Sequence, residues 1–306
     1  TGAFADKMGF RRAMLLAFGI LAAGFLSLGA MPYKPTVLPA IVLLMIGGSF
    51  IKGLITGTIA KTSTAAQRAR AYSIFYGMVN VGSFSGKSIA YPLRLNLGLE
   101  SIQYFSAILC CVAVVVVFFF YRNISAEGEG KSLREVWEGL VRVVRSPRLV
   151  LLILIVSGFW MIQHQMYATM PKYVIRLVGR EASPEWIANV NPAVVVLFVV
   201  LITQLMKNAA AITSMNTGML LMPFSALCMA SSPLLEKHFG SPVALPLGLS
   251  AHPITVMLIA GIVIQGLAEC FISPRYLEFF SKQAPRGEEG LYLGFGHLHS
   301  FIANLF

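Results

Sequence analysis

Charge is scarce in this chain. Only 12% of its 306 residues are Asp, Glu, Lys or Arg, about half the share of a water-soluble domain, which excludes an ordinary cytosolic globule. Cysteine is sparse as well. Cys110, Cys111, Cys228 and Cys270 all fall within apolar runs and lack the paired spacing of metal ligands, so they read as inert buried thiols rather than a disulfide framework or a zinc site. No nucleotide-binding glycine loop, Ser-His-Asp arrangement or metal cluster is legible, and the reading is a non-enzyme without cofactor or metal. Acidic residues are fewest of all, 13 against 24 Lys and Arg, for a net charge of +11.

What is abundant is hydrocarbon. The composition is 57% hydrophobic with a mean hydropathy of +0.74. Nine windows approach or reach the roughly 20 helical residues that cross a bilayer: 13–31, 37–60, 71–91, 103–121, 149–170, 186–206, 217–235, 253–274 and 290–306. The runs are continuous rather than alternating, which predicts helices and not barrel strands. The expected fold class is all-α, a polytopic transmembrane helix bundle.

The excess of positive charge suggests nucleic acid until its placement is counted. With loops numbered alternately, 16 of the 24 basic residues lie on one side and six on the other, while Lys52 and Lys87 lie within spans. Such asymmetry marks the first side as cytoplasmic and the partner as a lipid bilayer. The longest connection on that side, 122–148, contains SLREVWEGLVRVVRSP. There Leu133, Val136, Trp137, Leu140, Val141 and Val144 recur at helical spacing, as in a helix lying on the membrane surface or an ordinary connector. On the other side EKHFGSPVALPLGLSAHP is a turn-rich excursion.

Charges inside the spans carry the functional reading. An ionised group at membrane depth costs about 2.5–3.5 kcal/mol even on lenient insertion scales, so it is kept for ion or substrate handling. Lys52 shares a small, polar helix face with Gly48, Ser49 and Thr56. Glu269 repeats with Gln265 and Ser273 every four residues, and Tyr76, Asn80, Ser83 and Lys87 form a third stripe. Three helices thus offer polar stripes to one expected aqueous interior. Glu269 is the natural proton carrier, because an acid in hydrocarbon sheds its charge by taking up a proton, and His164 is a second candidate. Trp160 and Gln165 flank His164. Lys87, nearer a helix end, is open to snorkelling. Asn191 with Pro192 reads as a local kink. His297 and His299, two apart on a helix, make no metal pair.

The opening segment GAFADKMGFRR is similar to the loop signature of the major facilitator superfamily through Gly2, Asp6, Gly9, Arg11 and Arg12. Glycines permit a tight turn, and the acid and arginines can pair differently in two conformational states, a gating latch. Six further segments, in order, resemble the proton-dependent oligopeptide transporter branch. GSFIKGLITG resembles the fourth-helix pattern with its Lys, FYGMVNVG the fifth-helix FYxxINxG and FWMIQHQ the seventh-helix FWxxxEQ. VNP resembles the eighth-helix NP, ECFISP the tenth-helix ELFISP, and QAPRGEEGLYLG the APxGxxGxxxG before the eleventh. The departures are Lys52, Gly53 and Leu54 where the pattern has KPN, and His164 in place of Glu.

The resemblance implies the major facilitator fold, with an N-terminal bundle at 1–121 (helices 3–6), a linker at 122–148 and a C-terminal bundle at 149–306 (helices 7–11). In that register the chain lacks the first helix, most of the second and the twelfth. Two intramembrane cations against one acid call for another acid on the first of these. The implied function is proton-coupled symport of small peptides or a similar carboxylate-bearing solute, in a plasma or bacterial inner membrane. Glu269 and His164 would handle the proton as coupling ion. Lys52, Tyr76, Asn80, Trp160 and Gln165 would bind substrate, and Asp6, Arg11 and Arg12 would gate. The alternatives are a facilitator for another solute, such as a sugar, nucleoside or drug, and a degenerate structural subunit of a membrane complex.

Overall fold

Glycine and proline punctuate the chain. A computed structural model describes residues 8–64, 66–121, 133–179, 184–245, 250–285 and 289–305. Helix α1 (Phe10–Ala30) begins directly after Gly9, whose φ of 81° suits a residue without Cβ. Helix α2 (Lys34–Thr62) takes Pro35 in its first turn, where the missing N–H has no partner to lose. Helix α3 (Arg68–Leu97) ends before Gly98, also at positive φ, and α4 (Glu100–Phe120) follows with an acid in its first turn.

After the connector come α5 (Leu133–Val144), α6 (Pro147–Ala168), α7 (Met170–Leu177), α8 (Pro184–Leu205), α9 (Ala211–Ala230) and α10 (Ser232–Phe239). The excursion holds a two-residue antiparallel ribbon, β1 (Val243–Ala244) with β2 (Ser250–Ala251), which pairs Val243 with Ala251. The chain continues through α11 (Pro253–Gln283), α12 (Glu289–Gly296) and α13 (Leu298–Ala303).

Seven helices among the described residues, α1, α2, α4, α6, α8, α9 and α11, are long and apolar enough to cross a membrane. Nine windows were expected. The window at 71–91 is a helix of 30 residues, about 45 Å at 1.5 Å per residue. Length is therefore sufficient, but Arg68, Arg70, Lys87, Arg94 and a run of hydroxyl and amide side chains dilute its apolar character. The window at 290–306 breaks at His297 into the short α12 and α13.

The chain resolves into two units. One comprises the described residues of 1–65, 89–151 and 280–298, the other those of 66–88, 152–279 and 299–306. In the first, α1 packs on α2 and α4 around Phe10, Ala13, Met14, Leu54 and Val117. Helix α5 packs on α12. Gly139 and Val143 of α5, neither of them on the expected apolar face, are buried, while Val136, Leu140 and Val141 of that face are half-buried and its Trp137 and Val144 are exposed, so the covered side of the helix is turned from the one expected.

In the second unit, Met166 of α6, Val174 of α7, Ile187 of α8 and Leu258 of α11 share one core. Phe159 of α6, Met222 of α9 and Ile272 of α11 share another. Gly218 of α9 allows a close approach to a neighbouring backbone. A Cβ there would sit 2.6 Å from the Ala268 carbonyl oxygen, so glycine brings α9 against α11 one residue before Glu269.

Candidate functional site

Glu269 is 4% exposed. The apolar side of its surroundings is the core in which Val195, Val199 and Ile202 of α8 meet Cys270 of α11, with Tyr76 of α3 packed against it. Three neutral donors from three helices converge on the carboxylate. The Tyr76 hydroxyl donates to Oε1, Gln163 Nε2 of α6 to Oε2 at 2.6 Å, and Asn191 Nδ2 of α8 to the same oxygen at 3.0 Å. Buried acids survive when their lone pairs are taken up in this way. Gln163 and Gln265 each keep a buried side-chain oxygen without a hydrogen-bond partner, so polar capacity at this site is not exhausted.

Lys87 belongs to the same unit. Its ammonium donates to the Tyr167 hydroxyl at 3.3 Å and lies 4.6 Å from that ring's centroid. It is also close enough to interact electrostatically with Glu269. Near by, Asn189 Nδ2 donates to Ser88 Oγ at 3.1 Å. The stripe Tyr76, Asn80, Ser83 and Lys87 thus brings its first and last members to the acid's neighbourhood. Asn80 is buried, but its amide donates to the Tyr76 carbonyl of its own helix at 2.9 Å.

The remaining sequence-predicted residues fall elsewhere. Gln165 is exposed and accepts a hydrogen bond from the Thr169 hydroxyl. Gln163, two positions earlier and therefore on another face of α6, is the glutamine that meets Glu269. Trp160 lies 5.7 Å from the His164 ring and 5.6 Å from His299. Lys52 is exposed and belongs to the first unit, where it acts electrostatically on His297. Arg11 donates to the Phe118 carbonyl and lies over that ring at 5.3 Å, which caps the C-terminal end of α4. Arg12 is exposed, and Asp6 lies outside the described residues.

Sequence reasoning read Asn191 as a kink marker, whereas its side chain is one of the acid's three donors. It passed over Gln163 altogether. It also passed over a buried ion pair on α11, Arg275 to Glu278 at 2.8 Å, whose guanidinium also donates to the Met206 carbonyl just beyond α8. The signal for the pair was in the sequence, since ISPRYLEFF places Arg and Glu three apart on one helix face.

Membrane-length helices holding a hydrogen-bonded acid away from solvent define a helical, multi-pass membrane protein. The chain belongs to the Major Facilitator Superfamily, whose family model matches residues 1–243. It is 24% identical over 245 residues to the multidrug resistance protein MdtH of Cronobacter sakazakii, covering 78% of this chain and 58% of that one. To MdtH of Yersinia enterocolitica it is 27% identical over 196 residues, covering 63% and 47%. The chain thus spans about half the length of these curated relatives.

Its fold is similar to the crystal structure of a POT family transporter in complex with 5-aminolevulinic acid. The TM-score is 0.71 at 17% identity, over 99% of this chain and 76% of that one. A peptide transporter POT in complex with sulfate gives 0.66 at 17%, over 99% and 75%. The human organic anion transporter MFSD10 gives 0.62 at 15%, over 99% and 70%.

Proposed function

We propose that this protein is a secondary active transporter in which protonation of Glu269 drives passage of a small carboxylate-bearing solute, peptides first among them, by alternating access. One observation carries the reading: a buried carboxylate held by neutral donors from α3, α6 and α8. The ionised acid accepts all three bonds. When it takes up a proton, one oxygen becomes a donor and all its bonds lose their charge assistance. The Tyr76 hydroxyl can turn to accept, but the Gln163 and Asn191 amide N–H groups cannot. A single proton therefore changes how α11 holds three neighbouring helices, which is the differential contact a two-state transporter needs.

For an anionic group on the solute, Lys87 is the cation beside Glu269 in the second unit, and the family resemblance adds Lys52. Likeness to POT structures supports carboxylate-bearing solutes, and the MdtH relatives support a second reading, a drug transporter using the same acid. Arg11 would hold the cytoplasmic end of α1 to α4 in either case.

The test is uptake into proteoliposomes under an inward proton gradient, with labelled dipeptide and a cationic drug as separate substrates. Wild-type protein should accumulate dipeptide, whereas Glu269→Gln should lose accumulation yet keep exchange of solute across the membrane. Gradient-driven accumulation by Glu269→Gln at the wild-type level would refute the assignment of the acid. Transport of the drug alone would decide for the second reading.

A further inference from the structure

The proton mechanism leaves unused a buried imidazole that the sequence alone set aside. His299 of α13 is 3% exposed. It stacks on the Trp160 indole of α6 at 5.6 Å and 29° between planes, and meets the Tyr276 ring of α11 edge-on at 5.0 Å. The same indole contacts His164 at 5.7 Å. Two imidazoles from different helices therefore abut one aromatic ring inside the second unit.

We propose that His299 and His164, joined through Trp160, form a second proton-holding site that carries one proton at a time. This rests on the proton-coupled reading given above. Each imidazolium is attracted to the electron-rich face of the indole, while two positive charges against one ring repel each other in a poorly solvated setting. Among the described contacts His299 meets the Trp160 indole of α6, the Tyr276 ring of α11 and the Ser300 hydroxyl, and His164 meets the same indole. Neighbouring Arg275 and Glu278 pair with each other, and the Glu269 carboxylate is held by Tyr76, Gln163 and Asn191.

On neutral His299 one ring nitrogen carries the proton and the other accepts. The Ser300 hydroxyl lies 3.0 Å from Nε2 and can fill either role. When water delivers a proton to the bare nitrogen, both nitrogens donate and Ser300 must accept. The proton leaves by the same nitrogen, back to water.

Protonated imidazole quenches indole emission, which makes Trp160 its own reporter. The measurement is tryptophan-selective emission against pH of the chain in detergent, in a Trp137→Phe, Trp186→Phe background that leaves Trp160 as the one tryptophan. Emission should fall as the pH is lowered. His299→Gln or His164→Gln should each remove part of the amplitude, and the double variant should remove all of it. His299→Phe keeps a ring on Trp160 and guards against loss of fold. It should behave like His299→Gln.

Flat wild-type emission, or full amplitude in His299→Phe, would overturn the proposal. Glu269→Gln should leave the emission titration in place, so failure of the acid's role in transport reads separately. In the uptake assay His299→Gln should move the pH profile, and an unmoved profile would also count against the site.

Discussion

Replacing Gln163 with Leu removes a 2.6 Å donor from Glu269 while filling nearly the same volume at a position only 2% exposed. A hydrogen bond to an ionised group contributes about 1.5–3 kcal/mol. The substitution also deletes the buried, unpartnered Gln163 Oε1, and relief of such an atom returns about 1–3 kcal/mol. The two effects oppose each other, so the single variant says little. A double-mutant cycle with Glu269→Met separates them, because relief at Oε1 occurs on both sides of the cycle and the amide–carboxylate bond on one only. The expected coupling is about 1.5–3 kcal/mol, read by thermal unfolding in detergent at neutral pH. For a chain of this size it corresponds to a non-additivity of about 3–6 °C, at about 2 °C per kcal/mol. In acid, where a protonated carboxyl makes only neutral hydrogen bonds, the coupling should drop to about 0.5–1.5 kcal/mol. Additivity within about 0.5 kcal/mol at neutral pH would refute the claim that Gln163 supports a charged Glu269.

Gly218→Ala places its Cβ 2.6 Å from the Ala268 carbonyl oxygen and should lower unfolding stability by about 1–3 kcal/mol, whereas Gly19→Ala, with nothing within 4 Å, should gain a few tenths to 1 kcal/mol. Arg275→Met leaves Glu278 buried without its guanidinium and should cost about 3–5 kcal/mol in the same melts, most of it recovered in Arg275→Met with Glu278→Leu.

The sequence disclosed helices, their boundaries and the acid more readily than the acid's partners. Proline and glycine act through the backbone, so the starts of α1, α2 and α6 follow from local chemistry alone. Glu269 was legible because one carboxylate in a span of hydrocarbon stands out against every neighbour. Apolarity was less decisive for α3, where polar stripes made a long helix too hydrophilic to match the other spans, and at His297, where the last window divides. Both places carry more polar side chains than a lipid-facing helix needs.

The misplacement on α6 has a specific physical origin. A soluble helix declares its inner face by alternation of polar and apolar residues, but in PRLVLLILIVSGFWMIQHQMYA the positions from Leu149 to Ile162 are apolar on all sides save for Ser157, and that stretch has no inner face to read. Beyond that stretch stand Gln163, His164 and Gln165 in a row, and consecutive residues point about 100° apart, so the three cannot share a partner. Resemblance to FWxxxEQ drew attention to His164 and Gln165, because that pattern has its polar residues there. Packing chose differently. Once Phe159 is seated against Met222, Ala268 and Ile272, the residue four positions on, Gln163, lies on the same face, next to Glu269. The phase of α6 was thus fixed by a buried phenylalanine one turn away, and a reader given that single contact would have selected Gln163 from the sequence.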